Sequence, residues 1–239
     1  MTRKDGRTGN VPSTILERHM EHVAFGEAGR PVVLLPTSAG RQNENVDFGL
    51  VDALGPLIDQ GKIRVFSIDS INRESWADDA LPPWEKLRRH GLYDRFLAEE
   101  FFPWLKALTG RDDPVLYGAS LGGWQALTFA ARHPEAVGRA IAFSGFFDIR
   151  RLLGGWWSED AYYFSPQDFV PNMDEEWVAR LSRVEWVLAT GDGDSLLEET
   201  RRFAAVLEAK GIPHHCEIWK ECFGHDWPHW REHLPRLLL

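Results

Sequence analysis

Residues 117–127 read "YGASLGGWQAL", placing Ser120 between glycines two positions before and two after it, with a third glycine following. The preceding run "PVLYG" (114–118) is short and apolar, as a buried strand is. The following "LGGWQALTFAARH" (121–133) has helical spacing and stops before Pro134. A strand that turns sharply into a helix brings two backbones close together, and Gly118 and Gly122 remove the side chains that would collide. A serine on that turn holds its hydroxyl above the carboxyl edge of the sheet, where open α/β folds bind ligands. The same glycines would also suit a junction without chemistry, so the meaning of Ser120 depends on the rest of the chain.

Outward from this junction the chain alternates short apolar runs with amphipathic segments, the pattern of parallel βαβ units. "PVVLLP" (31–36) and "IRVFSID" (63–69) read as strands before it. "RAIAFSG" (139–145), "VEWVLATGD" (184–192) and "HCEIWKE" (215–221) read as strands after it. "LVDALGPLIDQG" (50–61), "YDRFLAEEFFPWLKALTG" (93–110), "LLEETRRFAAVLEAKG" (196–211) and "DWPHWREHLPRLLL" (226–239) read as helices. Gly61 and Gly211 are in place as C-caps, and Pro103 should kink or divide the second of these helices. The stretch before Pro31, with "LERHMEHVAFG", adds one or two edge strands. No repeat or linker interrupts the pattern, which is that of a single domain over 1–239.

Composition narrows the function classes. A hydrophobic fraction of 44% and a charged fraction of 26% are those of a soluble globular chain. The net charge of −9, with no dense Lys/Arg block, argues against a nucleic-acid surface. No apolar run approaches the ~18 residues of a membrane span, and the polar start "MTRKDGRTGNVPSTI" has no signal-peptide core. Cys216 and Cys222 are too few for a disulfide framework, so a cytoplasmic address is expected.

A serine nucleophile needs a general base, and the base needs a carboxylate to orient it. In hydrolases built on such an elbow the chain order is Ser, then Asp or Glu, then His. "VLATGDGD" ends a strand with Asp192 and Asp194, and "KECFGHDW" follows the last strand with His225. The loops of both should gather at the edge that carries Ser120. Asp192 lies nearer the strand, where aspartate commonly bonds turn amides. Asp194 comes after the loop has turned over the sheet, which favours it as the acid. His22, His90 and His133 read as surface residues, and His214 and His215 as strand residues with no loop to carry them to the elbow. His225, His229 and His233 are four apart, but Pro228 suits a first helical turn and leaves His225 in the loop before it. Two helix histidines fall short of a metal site, so no metal is expected.

Three of these stretches, "YGASLGGWQAL", "TGDGDSLLEETRRFAAVLEAKG" and "FGHDWPHWREHL", together resemble the putative-esterase branch of the α/β-hydrolase superfamily. S-formylglutathione hydrolases, feruloyl and enterochelin esterases and mycolyltransferases belong to that branch. The likeness runs from about Pro31 to the C-terminus, and "YYFSPQDFVPN" (162–172) shares it. It implies an α/β-hydrolase fold, with a mostly parallel sheet of about eight strands, helices on both faces and a short cap before the seventh strand. It also implies Ser120 as nucleophile, Asp194 as acid (fourth in Gly191-Asp192-Gly193-Asp194) and His225 as base, without a cofactor. Backbone N–H groups of Leu121 and Ser38 would form the oxyanion hole, although this chain has Pro36-Thr37-Ser38-Ala39-Gly40 where many relatives carry His-Gly.

The expected activity is a serine carboxylester hydrolase working through an acyl-enzyme on a small or aromatic ester or thioester. An acyltransferase with the same triad and a non-catalytic binding module are the alternatives. The partner is a small-molecule ester, with neither nucleic acid nor membrane, and self-association into a homo-oligomer is compatible with the sequence. Residues 146–177 concentrate Phe146, Phe147, Trp156, Trp157, Tyr162, Tyr163 and Phe164 in a stretch too irregular for one helix, which suits a cap. Trp157 and Tyr163 from it, with Trp124 and Trp227 beside the catalytic elements, are the expected substrate-binding residues.

Overall fold

Strand residues that are apolar at every position need cover on both faces, and the sheet receives it. The computed structural model of the chain describes residues 5–238. Met1–Lys4 of the polar start and Leu239 of the terminal helix lie outside the described residues. The elements in chain order begin with β1 (Arg7–Ser13), β2 (Arg18–Phe25) and β3 (Arg30–Leu34), then α1 (Glu44–Asp47), α2 (Leu50–Ala53), α3 (Gly55–Asp59) and β4 (Ile63–Ile68). Next come α4 (Pro83–Phe96), α5 (Phe102–Thr109), β5 (Val115–Ala119), α6 (Leu121–Arg132) and β6 (Arg139–Phe143). A run of short helices follows: α7 (Arg150–Leu153), α8 (Glu159–Tyr163), α9 (Pro166–Phe169) and α10 (Glu175–Leu181). The chain closes with β7 (Glu185–Gly191), α11 (Leu197–Ala209), β8 (His214–Trp219) and α12 (Trp227–Leu237).

Among the described residues, eight strands form one sheet in the order β1-β2-β4-β3-β5-β6-β7-β8. The hairpin β1–β2 is antiparallel and joins β4 antiparallel, while every pairing from β4 to β8 is parallel. The edge strands anticipated before Pro31 are β1 and β2. Side chains alternate across the sheet. Val33, Leu116 and Leu188 pack on one face against α4, α5, α6 and α11 through Tyr93, Leu105, Leu127 and Phe203. Val32, Tyr117 and Val187 pack on the other against α2, α3 and α12 through Leu50, Leu57 and Leu234. Each such side chain contributes about 1.5–3 kcal/mol by leaving water. Because β3, β5, β6, β7 and β8 run in parallel, the loops that follow them share one edge.

Two helices differ from the sequence reading. The stretch 50–61 is divided into α2 and α3, because Pro56 has no N–H to bond the carbonyl four residues back. The long helix starts at Pro83, ten residues before the expected Tyr93, with Pro82 extended in front of it. It then widens into a π turn over Leu97–Phe101 and continues as α5, which divides the helix just before Pro103 and leaves that proline in the first turn of α5. Glu100 in the wide turn accepts hydrogen bonds from Thr14 N–H (2.9 Å) and Thr14 Oγ1 (2.6 Å), fastening the β1–β2 turn to the body.

Two histidines expected at the surface are interior. His22, on β2, packs beside Phe66 and Trp104, and His90, on α4, packs among Trp76, Trp124 and Phe164. Short-range polarity misled there, since the aromatic neighbours arrive from distant elements. Burial pushes His90 down to about 4, with Arg132 adding to the shift and Asp94 opposing it. The folded imidazole therefore stays neutral while the unfolded one, near 6.5, takes up a proton on acidification, and stability falls as pH drops through that interval. A His90→Leu variant should show a shallower decline in Tm between about pH 7 and about pH 4.5 than the wild type. An unchanged slope in a thermal-melt series would mean that His90 is already charged in the folded state.

Candidate active site

The turn between β5 and α6 holds Ser120 at φ 57°, ψ −121°, a conformation that costs a non-glycine residue about 1–3 kcal/mol. The strain is held on both sides: Ser120 N–H donates to Phe143 O (2.9 Å), and Trp124 N–H donates to Ser120 O (3.2 Å). The flanking glycines are a matter of space. A Cβ on Gly118 would lie 2.1 Å from Gly122 O, and one on Gly122 would lie 2.5 Å from Pro36 O. Strand, helix and the loop after β3 thus meet at backbone distance around one serine.

The loops after β7 and β8 bring a carboxylate and an imidazole together. Asp194, buried beneath the loop, accepts from His225 Nδ1–H at 3.2 Å on each of its oxygens. Its Oδ1 also accepts from Leu196 N–H at 2.8 Å, and the Ser144 hydroxyl bonds it as well. Burial opposes ionisation of Asp194, but the bonds from His225, Ser144 and Leu196 outweigh it and hold the carboxyl below the usual carboxylate range. Asp192 does not reach His225. Its carboxylate accepts the N–H groups of Cys222 (3.0 Å) and Glu221 (3.1 Å), and these amides keep it ionised below its ordinary range. Asp192 therefore ties the histidine's loop to the aspartate's loop.

Ser120 and His225 open onto one cleft of about 370 Å³, a size suited to a small ligand. Its apolar wall is Trp76, Leu121, Phe146, Leu152 and Leu196, and its polar groups include Ser38, Ser195 and Arg151. The loop bearing Ser38 is held from both sides. Glu44 accepts from Thr37 N–H (2.6 Å) and Thr37 Oγ1 (2.8 Å), Asn72 Nδ2 donates to Thr37 O (3.0 Å), and Arg73 Nε donates to Ala39 O (2.7 Å). Among the described residues, nothing accepts the N–H of Ser38 or of Leu121. Leu121 begins α6, where the helix dipole is positive.

The four aromatic residues expected around a substrate lie elsewhere. Trp124 is fully buried under the cleft, stacked on Phe146 and donating Nε1–H to Phe164 O at 3.0 Å. Trp227 packs between Phe48 and Trp230, behind His225. Trp157 lies under the Arg150 guanidinium (4.0 Å), and Tyr163 lines a different groove with Phe169 and Trp177. From 146–177, the cleft takes its wall from Phe146, Arg151 and Leu152. His229 and His233 follow Pro228 on α12, where His233 lies flat on Trp219 (4.1 Å between ring centres). Among the described residues, no three His, Cys, Asp or Glu side chains converge as a metal site, and Cys216 and Cys222 are free thiols.

Sequence reasoning missed Trp76, Leu196, Ser144 and Trp230. Trp76 arrives from a loop with no motif. Leu196 was legible as the second residue after Asp194. Ser144 directly follows β6 at the sheet edge that carries Ser120, buried at φ 51°, with Trp230 Nε1–H donating to its Oγ (3.2 Å) and the Trp230 ring set edge-on to His225 (5.3 Å). A strand-end serine in the same sheet was the available signal. Gly118→Ala should prevent the turn from forming, lowering stability by more than about 2 kcal/mol in chemical unfolding, since the obstructing atom is backbone. A loss below about 0.5 kcal/mol would show that the strand and helix can separate there.

The family model described as Putative esterase matches residues 31–239. No curated protein matches the chain in sequence. Among solved structures, a ferulic acid esterase superposes with TM-score 0.76 at 21% identity, over 98% of this chain and 96% of its own. An S-formylglutathione hydrolase from Agrobacterium tumefaciens gives 0.72 at 16% identity, over 97% and 92%. The Staphylococcus aureus fluorophosphonate-binding serine hydrolase F gives 0.71 at 16%, over 98% and 97%. At these identities the structures establish the α/β-hydrolase fold, and the family match carries the rest. The chain belongs to the Putative esterase family and is an esterase, with Ser120 at its elbow and the Asp194–His225 pair opening onto the same cleft.

Proposed function

We propose that the protein is a serine carboxylester hydrolase that works through an acyl-enzyme. One observation carries the proposal: the buried, ionised Asp194 holds the His225 ring at the rim of a cleft that also contains Ser120 on its strained turn. With Nδ1–H committed to Asp194, Nε2 of His225 is the free base. It takes the Ser120 proton as Oγ bonds to the ester carbonyl carbon. The carbonyl oxygen becomes an oxyanion, received by the N–H groups of Leu121 and Ser38 at the positive end of α6. The bond to the leaving alcohol or thiol then breaks, and His225 returns its proton to that group. Water repeats the sequence on the acyl-serine, releasing a carboxylic acid and restoring Ser120. Each oxyanion donor is worth roughly 10²–10³ in rate.

Residues 146–177 act as a cap on the α/β body in this reading, supplying Phe146 and Leu152 opposite Trp76 and Leu196. An apolar pocket of that kind takes a small or aromatic acyl group as an ester or thioester. Similarity to a ferulic acid esterase and to an S-formylglutathione hydrolase supports the choice.

Ser120→Ala should abolish ester hydrolysis and labelling by a fluorophosphonate while the protein melts near the wild type. Labelling that survives the substitution would assign the nucleophile to another residue. Asp194→Asn should lower kcat by roughly 10⁴, through the wrong imidazole tautomer and loss of the charge facing it. Asp192→Asn, which loosens a loop contact only, should cost far less, and the opposite ranking in steady-state kinetics would move the acid to Asp192.

A further inference from the structure

The short helix α7 opens with two arginines that have opposite fates. Arg150 is committed to the protein: it donates to Asp168 (2.7 and 3.2 Å) and Asp148 (3.1 Å) and lies over Trp157. Arg151, next in the chain, lines the catalytic cleft, its guanidinium 4.7 Å from the centre of the Phe146 ring. Phe146 is itself stacked on the buried Trp124, so the platform beneath the guanidinium is rigid. Among the described residues, no carboxylate pairs with Arg151. Asp78 and Asp79, which follow the cleft residue Ala77 in the chain, meet the Ala80 N–H (3.0 Å) and Lys86 (3.7 Å). Apart from Arg151, the residues lining the cleft are apolar, hydroxyl-bearing or imidazole, with no acid among them. A chain of net charge −9 thus presents one unpaired, permanently charged cation beside its nucleophile.

A guanidinium stacked on an aromatic ring keeps its fork of N–H groups free in the ring plane, and that fork matches a planar carboxylate with two parallel hydrogen bonds. We propose that the cleft is built for esters that carry a carboxylate on the part lying against Phe146 and Leu152, and that Arg151 is the residue that binds it. The inference rests on the serine-esterase reading above. It adds a charge requirement that apolar walls alone would not impose, and it makes Arg151 a specificity-determining residue. Whether the charge belongs to the acyl or the alcohol portion is for the two arms of the test.

Matched pairs of substrates separate these effects in steady-state kinetics. The acyl arm compares mono-para-nitrophenyl adipate with para-nitrophenyl hexanoate. The alcohol arm compares para-acetoxybenzoate with phenyl acetate. In one arm the wild type should favour the anionic member by about tenfold or more in kcat/KM, mainly through KM. Added salt should shrink that ratio as the pair is screened. Arg151→Gln should bring the ratio to about one, Arg151→Lys should retain part of it, and Arg151→Glu should invert it. Hydrolysis of the esters with a ratio near one in both arms, or a ratio that Arg151→Gln leaves unchanged, would overturn the inference alone. Failure to hydrolyse any of the four, with Ser120 unlabelled by a fluorophosphonate, would overturn the serine-esterase reading and the inference with it.

Discussion

The left-handed backbone at Ser120 is the constraint on which the candidate site depends. An L-residue avoids that conformation unless its surroundings over-determine it. Here the Phe143 carbonyl of the neighbouring strand holds the serine N–H, and the first turn of α6 begins from the serine carbonyl. Gly118 and Gly122 let three backbones meet at distances that no Cβ would permit. Among the described residues, the Leu121 N–H that opens α6 next to this turn has no partner.

A second close approach sets the Asp194–His225 pair. A Cβ on Gly191 would lie 2.4 Å from Cys222 O, and one on Gly193 would lie 2.6 Å from the Phe223 ring. The loops after β7 and β8 therefore run against each other, joined by the Asp192 carboxylate and by Gly193 N–H donating to Cys222 O (3.1 Å). Two aspartates separated by Gly193 divide the work. Asp192 meets backbone amides at the rim, and Asp194 turns inward to His225, Ser144 and Leu196. The ring of Trp230 limits how far the imidazole can tilt.

The aromatic richness of the chain serves mainly to support the site from below. Trp124 carries Phe146 on one face and meets Trp76 at its edge, so two walls of the cleft rest on one buried indole whose N–H is fixed by Phe164 O. His90 completes the cluster as a neutral ring. The substrate-binding role read for Trp124 is thus one residue removed from the cleft. Trp157 and Tyr163, expected to face a substrate, cover the outside of 146–177, where Arg150 and Arg132 meet them.

Local sequence was enough wherever the determining contacts are near in the chain. Strand and helix identity around Ser120, the βαβ alternation and the caps at Gly61 and Gly211 follow from periodicity, glycine freedom and proline chemistry over a few residues. The position of His225 outside α12 follows from Pro228 in the same way. The meeting of the loops that carry Ser120, Asp194 and His225 was legible because parallel strands must end at one edge, whichever way the loops between them run. Tertiary structure decided what depends on partners brought from afar: the burial of His22 and His90, the cleft walls at Trp76 and Leu196, and the Ser144–Trp230 support behind Asp194. It also separated Arg150 from Arg151. The two are identical in type and adjacent in sequence, and only the packed chain brings Asp168 to one and leaves the other facing the cleft, because long-range pairing is set by where helices land on the sheet.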